Sequence, residues 1–147
     1  MTTKYPRATP DRAPRDYDDI PGTYVMDGDH SRRGYALNMF CMSLNQEANR
    51  DAFRADESGY LDAYALTDDQ REAVLQRDWL GLLRLGGNIY YTFKLAIFDG
   101  LSMQQVGASM SGIEAEEFQQ MMIDGGRPIE GNRTIADRGA APAQEQH

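Results

Sequence analysis

Apolar residues recur at intervals of three and four through the middle of the chain, broken at short distances by polar or glycine-bearing clusters. From Gly34 onward, Leu37, Phe40, Cys41 and Leu44 fall at i, i+3, i+4 and i+7, with Met39 and Met42 beside them, which predicts an amphipathic helix. A methionine-bearing face of this kind is ordinarily core, and Cys41 within it reads as a small buried hydrophobe rather than a reactive thiol. A second helical piece is expected over Gln46–Arg54, with Ala48, Ala52 and Phe53 apolar, and a third near Glu57–Tyr64, with Tyr60, Leu61 and Tyr64 on one side. Thr67 followed by Gln70 is a capping box, and Asp68 and Asp69 suit the positive end of the helix dipole. The spacing of Val74, Leu75, Asp78, Trp79, Leu82 and Leu83 predicts that this helix continues to about Leu85. Gly86 suits the left-handed residue after it and Asn88 the cap of the next helix. Gly86-Gly87 is therefore punctuation rather than a phosphate loop, since no Lys-Ser/Thr follows.

The chain is organised around Leu82–Gly112. Between Gly86-Gly87 and Asp99-Gly100 the run Ile89–Phe98 carries a single charge, Lys94. It is far short of the roughly 20 apolar residues that span a bilayer. Its aromatic and β-branched content suits a strand, but no second convincing strand exists to pair with it, so a helix is expected. A segment apolar on every side has to be covered by its own core or by another chain. Beyond it, Ser102 and Gln105 form another capping box, opening a short helix through about Met110. Ser111-Gly112 breaks that helix, and Glu114, Glu116 and Glu117 open a last one, with Phe118, Met121 and Met122 apolar, closed by Gly125-Gly126.

The ends differ in kind. Residues 1–19 mix prolines with both signs of charge and bury too little to offset their ordering entropy, so a flexible arm is expected. Ile20-Pro21-Gly22-Thr23 is a turn that begins the ordered part. Asp27-Gly28-Asp29-His30-Ser31 has alternating oxygens, but an EF-hand loop needs Gly at its sixth position and Glu at its twelfth, where Arg32 and Asn38 stand. It reads as a solvated turn with Asp29 or Ser31 capping the next helix. Residues 128–147 are polar and small, a loose tail. The expectation is an all-α fold: a compact domain of five to seven short helices over 20–127 with flexible N- and C-terminal tails.

Composition narrows the chemistry. Net charge is −8 and disfavours a phosphate-tracking surface. Leu101–Met122 resembles a helix-turn-helix in outline, but its second helix opens with three glutamates and has no Lys or Arg before Arg127, so a helical hairpin is expected and no nucleic-acid partner. One cysteine fits a reducing, cytoplasmic setting, and no apolar run near the N-terminus suggests a leader or a membrane anchor. The two histidines, His30 and His147, do not supply a zinc or iron site, and no nucleophile–histidine arrangement stands out. If the chain serves a metal or triad enzyme, most of the site is on another polypeptide.

Several blocks, taken in register, resemble the small alpha subunit of protocatechuate 4,5-dioxygenase. They are IPGTYV (Ile20–Val25), GYALNMFCMSLNQEANRDAF (Gly34–Phe53), ADESGYLDAYALT (Ala55–Thr67), AVLQRDWLGLLRLGGNIYYTFKL (Ala73–Leu95) and DGLSMQQVGASMSGIEAEEFQQMMIDGGR (Asp99–Arg127). The resemblance implies extradiol, meta-cleaving opening of a catechol-type aromatic acid by O₂. It also implies that Fe(II) is bound by the larger beta subunit, with the alpha subunit packed across the mouth of that site in an assembly of α₂β₂ type. Protocatechuate or a close relative such as gallate is the expected substrate. By position, Asp99, Gly100, Leu101, Ser102, Met103 and Gln104 are the candidate lid, with Met103 lining the ring pocket where related subunits carry an aromatic residue. The alternative is that Ser102 only caps a helix and Met103 only fills core. No catalytic residue is expected on this chain. A second reading is a stand-alone helical interaction or regulatory module without a dioxygenase partner.

Overall fold

The computed structural model describes residues 12–18 and 25–126, and all regular structure among them is helical. The elements are α1 (Gly28–Arg33), α2 (Tyr35–Ser43), α3 (Glu47–Ala55), α4 (Glu57–Leu61), α5 (Asp68–Leu75), α6 (Trp79–Arg84), α7 (Ile89–Phe98), α8 (Met103–Ser111) and α9 (Ala115–Ile123). The expected Ile20–Thr23 turn, the 128–147 tail, and residues 1–11 and 19 of the expected arm lie outside the described residues.

Nine helices among the described residues exceed the five to seven expected, for two local reasons. The Asp27–Ser31 stretch is not a solvated turn. It enters α1, and the residue that caps it is Asp27, whose side chain accepts the His30 N–H, rather than Asp29 or Ser31. The Thr67–Leu85 segment, expected as one helix, breaks between Leu75 and Trp79 with no glycine or proline to announce it. At that break the Arg77 N–H donates to the Val74 carbonyl and the Asp78 N–H to that of Ala73, and the Asp78 carboxylate accepts the Gly81 N–H to start α6. A side-chain cap thus competes with helix continuation and prevails.

The other punctuation stands as expected. Thr67 and Ser102 form capping boxes with Gln70 and Gln105. Asn88 caps α7 by accepting the Tyr90 N–H. Ile89–Phe98 is a helix despite its strand-like composition, because caps close both of its ends.

The core gathers Leu37, Phe40 and Cys41 of α2, Phe53 of α3, Leu61 of α4, Val74 of α5, Trp79 and Leu82 of α6, Leu95 of α7 and Val106 of α8. An aromatic cluster lies within it. Phe40 and Phe53 meet edge-on with centroids 5.2 Å apart, and Phe98 at the end of α7 lies 5.0 Å from Phe53. Among the described residues no helix is long and apolar enough to cross a membrane.

α7 is only half covered. Thr92, Leu95 and Ala96 are buried against the core, while Tyr90 is 80% and Ile97 61% exposed, two turns apart on the outer side. Of the two kinds of cover expected for this segment, its own core or another chain, the core supplies the first on the inner face and leaves Tyr90 and Ile97 uncovered. The methionine face is likewise split: Met39 is half-buried and Met42 exposed.

Candidate functional site

The candidate lid residues lie together as one corner between α7 and α8. Asp99 ends α7, and the turn after it is closed by Gly100 N–H to Ile97 O and Leu101 N–H to Ala96 O, both 2.9 Å. Gly100 adopts φ +76°, the left-handed value this turn requires and glycine adopts most readily. Leu101 turns inward and packs on the core. Ser102 begins α8: its hydroxyl accepts the Gln105 N–H, and the Gln105 side chain accepts the Ser102 N–H. Met103 and Gln104, the first residues of α8, point outward, and Met103 is 51% exposed. The connection is hydrogen-bonded at both ends. Ser102 does cap a helix, but Met103 does not fill this chain's core.

Asp99 is not free. Its carboxylate holds the Arg77 guanidinium in a two-point ion pair, Nε to Oδ2 at 2.6 Å and Nη2 to Oδ1 at 3.1 Å. The same guanidinium binds Glu57 of α4, Nη2 to Oε1 at 2.6 Å and Nη1 to Oε2 at 3.2 Å, and Nη1 also donates to the Val74 carbonyl at 2.7 Å. It lies 5.6 Å from the centroid of the Phe53 ring. Burial disfavours the charge, but Asp99 and then Glu57 outweigh it and push the Arg77 pKa up, so the cation is secure. Sequence spacing pointed to the corner but not to Arg77, which lies 22 residues before Asp99. Only the fold brings them together.

The other residues weighed for chemistry have structural partners. His30 is half-buried, and burial lowers its pKa while it interacts with the backbone of Gly87 and Leu83. Burial pushes the Cys41 thiol up to about 12, so it is a core residue and not a nucleophile. Asp27 and Asp29 pair with Arg12 of the N-terminal segment, as does Asp18, and Tyr17 donates its hydroxyl to Asp27. The His30 N–H and then Arg12 hold Asp27 well below the usual carboxylate range. Among the described residues no group of three His, Cys, Asp or Glu side chains could hold a metal ion.

A second polar assembly, away from the corner, binds the Gly86-Gly87 turn into the core. Gly34 and Gly86 meet backbone to backbone, leaving no room for a Cβ on either. Buried Asn38 donates to the Gly86 carbonyl and accepts the Asn88 N–H, and buried Gln70 donates to the carbonyls of Arg33 and Leu85. Beside it, Met26, Ser31, Tyr35, Met39 and Tyr91 line an open cleft of about 490 Å³.

Comparison with known proteins bears on the corner and its surroundings. The family profile described as "Aromatic-ring-opening dioxygenase LigAB, LigA subunit" matches residues 37–123, which include α7, the corner and all of α8 and α9. A gallate dioxygenase of Pseudomonas putida is 27% identical over 101 residues, covering 69% of this chain and 30% of the relative. The chain thus spans about a third of the length of that curated relative.

Proposed function

The chain belongs to the LigA-subunit family of aromatic-ring-opening dioxygenases, and from that premise we propose that it is the small subunit of an iron(II) extradiol dioxygenase, docked on a larger beta subunit. The observation that carries this reading is the half-covered central helix. Tyr90 and Ile97 of α7 face outward from a helix with one charge, and Met103 faces outward at the start of the next. Apolar side chains presented this way suit a protein partner. The greater length of the relative supports the reading, since the part of it outside the match leaves room for a larger subunit's share.

On this reading the beta subunit holds the iron and its ligands, and the iron centre supplies the activation of O₂ and of the diol. This chain contributes no acid, base or nucleophile. Its Asp99–Gln104 corner covers the mouth of the site, excludes water and offers the Met103 thioether to one face of the ring. Because the corner is hydrogen-bonded at both ends, covering is accomplished by subunit docking and not by loop closure. The substrate class is a catechol-type aromatic acid, protocatechuate or gallate, and the assembly is α₂β₂.

Reconstitution tests this. The chain and the candidate beta subunit are loaded with ferrous iron in the absence of oxygen, separately and mixed. Formation of the yellow ring-fission product from each acid is then followed on adding O₂. Turnover by the mixture alone is the expected result. A beta subunit equally active by itself, or no association between the two, would sink the proposal and leave a stand-alone helical interaction module.

A further inference from the structure

Five helices end in the same hydrogen-bonded turn, in which one residue past the helix takes a left-handed backbone. At α6, α7, α8 and α9 that residue is Gly86, Gly100, Gly112 and Gly125. At α5 it is Arg77, with φ +53°, the one non-glycine residue at positive φ among the described residues. A side chain with a Cβ is disfavoured there, so its presence calls for a reason outside the backbone. The reason lies at the far end of the side chain. The guanidinium joins the α5 terminus (Val74 O), α4 (Glu57) and the end of α7 (Asp99), and it stacks on Phe53 of the aromatic cluster. Asp99 needs such a partner, because a carboxylate at a helix C-terminus faces the negative end of the dipole. Arginine's planar fork can hold two carboxylates at once by two-point pairs, a geometry that lysine's point-like ammonium does not offer.

We propose that Arg77 is the positioning residue of the α7–α8 corner, fixing through Asp99 the direction in which Met103 and Gln104 face the substrate. The inference rests on the reading of that corner as the cover of a dioxygenase site. Arg77 touches neither substrate nor metal, and acts by holding the end of α7 to α4 and α5. Loss of the clamp leaves the corner's own hydrogen bonds and the packing of Leu101 intact but loosens the seating of the end of α7 on α4 and α5. Binding of the ring is therefore affected more than the chemical step.

The test uses the reconstituted two-subunit enzyme with the small subunit in saturating excess, so that weakened assembly does not imitate the effect. Arg77→Gly is suited to it, because glycine is the residue the turn itself favours. Asp99→Asn leaves the backbone at position 77 untouched and carries the test if the first variant does not fold. Each variant, and the two combined, is expected to lower kcat/KM for gallate or protocatechuate by about ten- to a hundredfold, the scale of a small misplacement of a binding group. The loss should fall mainly on KM, be no larger in the double variant than in either single one, and occur with little change in melting temperature. If the wild-type mixture is active while both single variants match it in KM and kcat, Arg77 is a structural staple and the proposal fails. Losses that multiply in the double variant would equally overturn it, because Arg77 would then not act through Asp99. An inactive wild-type mixture would instead refute the dioxygenase reading itself.

Discussion

Two turns of this domain share a backbone pattern and are held in opposite ways. The turn at Gly86 is locked by packing: Gly34 lies against it backbone to backbone, and Asn38 and Gln70 answer its buried polar groups. The corner at Gly100 faces open space, with nothing within 4 Å of where a Cβ would stand, and is tied to the rest of the domain by Leu101 on the core and by the partly exposed Arg77–Asp99 pair. Packed, satisfied groups resist change because any movement costs close contact and hydrogen bonds together. An ion pair with partial access to water contributes little to stability yet fixes direction. Stability and placement are thus assigned to different ends of the same central helix.

The comparison is broken most severely at Gly34. Gly34→Ala drives a methyl into the Gly86 carbonyl, and since both partners are main chain, the loss should reach about 3 kcal/mol or prevent folding. Denaturant unfolding of the isolated chain measures it. Gln70→Leu comes next: it strands the Arg33 and Leu85 carbonyls inside the core and should cost about 2 kcal/mol by the same measurement. At the corner, Gly100→Ala meets no neighbour but forces a left-handed alanine, with an expected cost of about 1 kcal/mol. Arg77→Gly should change stability least, within about 1 kcal/mol, because the lost ion pairs are offset by relief of its backbone. Its effect belongs in the kinetics of the assembled enzyme. A large stability loss from Arg77→Gly, matching that of Gly34→Ala, would erase the distinction between the two turns.

The alkaline side offers a further check on the packed end. The Cys41 thiol is raised to about 12 in the folded chain from a usual 9.0, so the folded form stays protonated where the unfolded one ionises. Its contribution is therefore fully present below about pH 9 and is lost as pH rises towards 12. Alkylation of the native chain by iodoacetamide at pH 8 should be negligible and become rapid on unfolding.

Much of this fold is legible along the chain because its determinants are local. Thr67 with Gln70, Asn88, Ser102 with Gln105, and the glycines at 86, 100, 112 and 125 act within a few residues, so caps and turns follow from spacing alone. Misreadings arose where two local devices compete. Asp27 precedes Asp29 and Ser31 as a cap, and Asp78 starts a helix in the middle of a periodic run that otherwise continues. Gly107 in α8 carries no local mark of its role: the absence of a side chain there admits the Phe118 ring between α8 and α9.

The sequence by itself determined that the chain is helical, where most helices begin and end, which family it resembles, and that the Asp99–Gln104 stretch joins an apolar helix to a short capped one. These follow from hydrogen bonds and periodicities that close within one or two turns. Tertiary structure alone decided that Gly34 meets Gly86, that Asn38 and Gln70 serve main-chain groups far along the chain, that one side of α7 is left uncovered, and that Arg77 reaches Glu57 and Asp99 at once. Such pairings depend on how helices cross in space, and residues 15 to 50 or more positions apart carry no mark of one another until the core has brought them together.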